Sequence, residues 1–87
     1  MVAKIESILK NKNLSVTDIR RQILLMLSMP NAAFSQKEIE EELEKEMESV
    51  DRVTVYRNIK TLLENEIIHP IVVEPQQIKY KLIGDSK

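Results

Sequence analysis

The sequence predicts an α+β domain, mostly α, in which four helices are followed by one two-stranded antiparallel hairpin. Three observations carry that prediction. Apolar residues recur at helical spacing in four successive segments before Glu66. The pattern then changes to the β-branched run Ile71-Val72-Val73 and to Ile78, Tyr80 and Leu82 alternating with Lys79 and Lys81. With 87 residues, there is chain for one small core.

Ile5, Ile8 and Leu9 predict a first helix from about Val2 to Lys10, ending in Asn11-Lys12-Asn13, after which Leu14 re-enters the core. Ile19, Ile23 and Leu27, with Leu24 alongside, define a second helix behind the capping candidates Ser15 and Thr17. Pro30 and Asn31 supply its stop. Ser35-Gln36-Lys37-Glu38 is a capping box for the third, and Phe34 is placed to staple onto Ile39. Ile39, Leu43 and Met47 mark its apolar stripe, with glutamates over most of the rest up to Glu48.

The fourth helix, over about 52–65, repeats this start, with Asp51 as N-cap and Val50 stapling onto Val55; Val55, Ile59, Leu62 and Leu63 form its buried stripe. Glu74-Pro75-Gln76-Gln77 turns the hairpin, which must pack on the helices because an isolated one is marginal. Four helices and such a hairpin read as a winged helix-turn-helix, the hairpin being the wing and the fourth helix the recognition helix. Ile71, Val72 and Val73 cannot all face one core, which leaves a wing edge or face for self-association.

Composition excludes several classes of function. With no cysteine and His69 as the single histidine, disulfides, thiolate metal sites and histidine cages are ruled out. His69, followed by Pro70, reads as a structural or surface residue, and no cofactor or metal is expected. Neither a Ser/His/Asp set nor a Gly-rich phosphate loop is present, so the chain does not read as an enzyme. The longest apolar run, Ile23 to Leu27, is far short of the roughly 20 residues a membrane span needs. A cytoplasmic location is expected, with neither a membrane nor a small-molecule substrate as partner.

The net charge of −1 is unevenly spread. Residues 1–37 carry +4, residues 38–51 carry −7 and residues 52–87 carry +2. One acidic helix thus masks two basic segments, and a positive face remains if that helix points away. The fourth helix has the two faces that major-groove reading requires. Opposite its buried stripe lie Val53, Arg57, Lys60 and Glu64, with Thr54 and Thr61 on one flank and Tyr56 on the other. Val53 suits a thymine methyl, and Arg57 one turn later suits guanine O6 and N7. The competing reading is a winged helix used for protein contact, without sequence-specific DNA binding, docking through the acidic third helix or the apolar wing.

Thr54-Val55-Tyr56-Arg57, followed by Asn58-Ile59-Lys60-Thr61-Leu62 and Ile67-Ile68, closely resembles the recognition helix and first wing strand of the ferric-uptake-regulator family. Leu14 to Leu24 looks like that family's second-helix signature, Phe34 to Ile39 like its third-helix start, and Lys79 to Leu82 like the end of its wing. The resemblance implies a dimeric, metal- or redox-responsive bacterial repressor whose N-terminal winged helix binds double-stranded DNA at an AT-rich inverted repeat. It implies base reading by Tyr56 and Arg57 and a DNA-backbone contact from Arg20; the helical face adds Val53 to the base readers, and Ser15, Thr17, Arg52, Thr54 and Lys60 are further candidates for the DNA backbone.

The chain departs from the family pattern at Ser15, where a basic residue is frequent, at Glu66, where glycine is usual, and at Asn31 to Phe34, where histidine is frequent. The family's C-terminal half, with its dimer interface and metal ligands, has no counterpart before Lys87. A single domain over 1–87 is therefore expected, either a stand-alone module or, the favoured reading, a domain excised from a longer regulator, with at most a weak homodimer.

Overall fold

A computed structural model describes residues 2–47, 50–74 and 77–83. Four helices, α1 (Val2–Asn11), α2 (Asp18–Leu27), α3 (Gln36–Glu46) and α4 (Arg52–Glu64), precede an antiparallel hairpin of β1 (Ile68–Glu74) and β2 (Gln77–Leu82). This is the expected architecture, that of a winged helix. Glu48, the turn residues Pro75 and Gln76, and Gly84 lie outside the described residues.

The caps follow from the sequence. Thr17 caps α2, its hydroxyl accepting from the Arg20 N–H at 3.2 Å. At α3 the capping box closes in both directions: the Glu38 N–H donates to Ser35 Oγ at 3.2 Å, and the Ser35 N–H donates to Glu38 Oε1 at 2.9 Å. Asp51 caps α4 by accepting from the Thr54 N–H at 2.7 Å. That bond, chiefly, holds the Asp51 carboxyl below its ordinary pKa, with smaller help from the Thr54 hydroxyl, the Val53 N–H and the Arg57 charge.

Two helix ends form the same left-handed cap. Behind α1, Asn13 (φ 61°) donates to the Lys10 carbonyl at 2.9 Å and Leu14 donates to Leu9 at 2.9 Å. Behind α4, Glu66 (φ 58°) donates to Leu63 at 3.0 Å and Ile67 donates to Leu62 at 2.9 Å. Both are Schellman motifs, and each seats an apolar residue, Leu14 or Ile67, back on the core. Asparagine tolerates this backbone region; glutamate does so at a cost.

Ile5, Leu9, Ile23, Leu24, Leu27, Ile39, Leu43, Val55, Ile59, Leu62, Ile67 and Ile68 form the buried core, which is wholly aliphatic. Phe34, Tyr80 and Leu82 pack against its rim. All four stripes read from the sequence contribute.

β1 begins at Ile68 and takes in His69 and Pro70. Tyr80 exchanges backbone bonds with Phe34, at 3.3 Å and 2.8 Å, so Tyr80 turns its polar groups away from β1. Its partner Pro70 therefore sits in a non-hydrogen-bonded pair, with the ring nitrogen at the outer edge where no N–H is needed. Val73 is an extra residue in a bulge between Val72 and Glu74. Ile68, Tyr80 and Leu82 share the core-side face; Val72 and Ile78, paired on that face, run past the body and are 70% and 50% exposed.

Candidate nucleic-acid interface

Helix α4 buries Val55, Ile59 and Leu62 and turns Val53, Tyr56, Arg57, Lys60 and Glu64 to solvent. Val53 is 56% exposed and Tyr56 51% exposed. Two large apolar side chains on a solvent face beside an arginine and a lysine have no packing reason to be there. They can supply methyl and ring contacts to base edges. Arg52 is exposed at the first turn, its Nε 3.9 Å from Glu40 Oε1 on α3. Thr54 is half-buried, on the flank that faces α2.

The loop before α2 lies on that same flank. Arg20 Nε donates to Asn58 Oδ1 at 3.0 Å, and Arg20 Nη1 donates to the Ser15 carbonyl at 3.0 Å. Asn58 Nδ2 in turn donates to the Thr54 carbonyl at 2.8 Å. The exposed Ser15 and Thr17 are thereby held beside α4, so all nine side chains expected at a DNA surface fall on α4 or on the segment tied to it. Sequence reasoning placed Arg20 at the backbone and passed over Asn58. An asparagine inside a helix, where its propensity is poor, was the available signal.

Reasoning from sequence also passed over the flanks of α3. Glu40 accepts from Gln36 Nε2 at 3.0 Å and lies toward Arg52; Glu38 lies 3.4 Å from Lys79 Nζ on β2. The capping-box bond from Ser35, and then Lys79, keep the Glu38 carboxyl below its ordinary pKa. The acidic helix therefore does not simply face away: its two flanks pair with cations from α4 and from the wing, while Glu41, Glu44 and Glu46 are exposed.

Among the described residues no three His, Cys, Asp or Glu side chains converge on a metal position, and no helix is long and apolar enough to cross a membrane. His69 is half-buried in β1, paired in register with Lys81.

The sequence model of the ferric uptake regulator family matches residues 11–87. No curated protein matches the chain. Among solved structures, the Vibrio cholerae ferric uptake regulator superposes with a TM-score of 0.77 at 26% identity, over 93% of this chain and 63% of that one. The Pseudomonas aeruginosa ferric uptake regulator, solved with manganese, gives 0.76 at 24% identity, over 93% and 61%. The peroxide-sensing regulator PerR of Streptococcus pyogenes gives 0.78 at 19% identity, over 95% and 57%, a likeness of fold. The chain thus spans about three-fifths of the length of these structures.

Proposed function

Because this chain belongs to the ferric uptake regulator family, we propose that it binds double-stranded DNA through α4 as the DNA-reading winged-helix domain, residues 1–87, of a cytoplasmic transcriptional repressor. Regulators of this family are DNA-binding proteins and not enzymes. The observation that carries the reading is the solvent face of α4, where Val53, Tyr56, Arg57 and Lys60 stand together opposite the buried stripe. Val53, Tyr56 and Arg57 read base edges in the major groove, while Ser15, Thr17, Arg52, Thr54 and Lys60 follow the phosphates, with Arg20 bonded to Asn58 and the Ser15 carbonyl behind them.

An AT-rich inverted repeat suits this set, since Val53 and Tyr56 offer apolar contact to thymine methyls and one forked arginine fixes a single guanine. An inverted repeat also requires two heads. The related structures are a ferric uptake regulator solved with manganese and a peroxide-sensing regulator. A metal response in this protein would need ligands beyond the described residues of this chain.

The test is a binding series on duplexes selected from a random library. Arg57→Ala is expected to lower affinity for the selected duplex by about 1–3 kcal/mol and to relax preference at one base pair, whereas Lys60→Ala weakens selected and scrambled duplexes alike. Equal losses on both duplexes for Arg57→Ala would refute base reading. A wild-type chain that enriches no duplex would favour the protein-contact reading.

A further inference from the structure

Arg20 and Asn58 are 38 positions apart in sequence and meet at 3.0 Å on the half-buried flank between α2 and α4. Their bonds form one continuous path. The Ser15 carbonyl accepts from Arg20, Arg20 donates to Asn58, Asn58 donates to the Thr54 carbonyl, and the Thr54 N–H donates to the cap Asp51. A second bond, from the Arg20 N–H to Thr17 Oγ1, pins the same loop from its other end. Both polar ends of the Asn58 amide are thereby committed, which fixes its orientation.

A phosphate-binding arginine needs its guanidinium edge turned outward. Arg20 instead commits Nε and one Nη1 hydrogen to two acceptors of the protein itself, the Asn58 amide and the Ser15 carbonyl. Its planar fork spans the gap between a loop carbonyl and a helix side chain, a task a lysine ammonium does not reproduce. The loop it holds, residues 14–17, is neither helix nor strand.

We propose that Arg20 and Asn58 are a positioning pair that locks the loop over 14–17 onto the flank of α4, so that Ser15 and Thr17 meet the phosphates in fixed register with the side chains that read bases. This rests on the DNA reading above and assigns Asn58, which touches no base, a part in sequence discrimination. Loss of the pair leaves every cation that meets DNA in place and loosens only their relative placement. Its signature is reduced affinity for the correct sequence with little change for random sequence.

The test is a double-mutant cycle with Arg20→Lys, which keeps the charge, and Asn58→Leu, which keeps the branching at Cγ and favours helix. Fluorescence anisotropy follows binding to the duplex that the wild-type chain selects and to a scrambled duplex, and circular dichroism verifies that each variant is folded. Each single variant is expected to lose about tenfold, or about 1.4 kcal/mol, on the selected duplex and less than about twofold on the scrambled one. The double variant is expected to be no worse than the weaker single one.

Additive losses, or an Asn58→Leu variant that binds like the wild type, would overturn the positioning role while leaving the DNA reading intact. A wild-type chain that selects no duplex would overturn both. Should Asn58→Leu fail to fold, hydrogen exchange of the arginine Nε–H groups in the wild-type chain decides: protection of Arg20 against fast exchange at Arg52 and Arg57 supports the pair, and equal rates overturn it.

Discussion

Glu66→Gly should stabilise the domain, although it removes a side chain and adds flexibility to the unfolded chain. Glu66 sits at φ 58° in the C′ position of the α4 cap, committed there by its own bond to Leu63 and by the Ile67 bond to Leu62. A residue with a Cβ is disfavoured in that region by about 1–2 kcal/mol. Glycine removes that cost but costs about 0.4–1 kcal/mol through unfolded-state entropy. The difference is a net gain of about 0.5–1 kcal/mol, a rise in Tm of about 2–8 °C for a domain of this size. Urea denaturation at pH 7 should show a higher midpoint at unchanged slope. Glu66→Ala separates backbone from charge: alanine keeps the Cβ and should change stability by only a few tenths of a kcal/mol. A glycine variant no more stable than the wild type, or an alanine variant that gains as much as glycine, would refute the reasoning.

Acid stability should depend on two caps. The Glu38 and Asp51 pKa values lie below 4.5 and 3.8 in the folded chain, so the unfolded state binds more protons in acid, and the stability they contribute is lost as pH falls below about 4.5; in Glu38→Gln with Asp51→Asn, the midpoint in urea should vary less between pH 5 and pH 3. Glu40→Gln should strengthen binding to any duplex by about 0.2–1 kcal/mol by freeing Arg52, as read from anisotropy at low salt. Self-association through the outer edge of β1 should be weak, since Pro70 and the Val73 bulge interrupt its pairing groups; light scattering that finds a tight dimer at micromolar concentration, abolished by Val72→Thr with Ile78→Thr, would show instead that the exposed face of the wing, not its edge, joins two copies.

The helices were legible because each start and stop is written in local chemistry. Ser35 and Glu38 three residues apart, Asp51 before a helical stripe, and Asn13 before Leu14 are all within one helical turn of what they control. The solvent face of α4 was legible for the same reason, since a period of 3.6 residues puts Val53, Arg57 and Lys60 opposite Val55 and Ile59 without tertiary information. What escaped was every interaction that joins distant segments. The Arg20 to Asn58 bond, the Phe34 to Tyr80 bridge and the Glu38 to Lys79 pair each depend on how elements pack. Pro70 within β1 depends on packing in the same way: a strand admits a proline where its nitrogen falls on a free edge, and that is set by the Phe34 bridge on the far side of β2.

That dependence on packing also bears on how a chain of net charge −1 can present a surface to DNA. Had the acidic helix merely pointed away, its charge would act only as a distant, salt-screened repulsion. Instead Glu38 and Glu40 lie on the two flanks of α3, each beside a cation from an element with a candidate place at the DNA, Lys79 of the wing and Arg52 of α4. These pairs set one cation of the wing and one of α4 against the same helix. They also keep a carboxylate within reach of a cation that phosphates would otherwise take. Arg57 and Lys60 have no ion pair among the described residues and remain available. The division follows position along α4: Arg52, on its first turn, is shared with α3, and Arg57 and Lys60, on its second and third, are not. If α4 reads DNA as proposed, the acidic helix tempers affinity for phosphate in general at Arg52, and leaves untouched the turns of α4 where Tyr56 and Arg57 would distinguish one base pair from another.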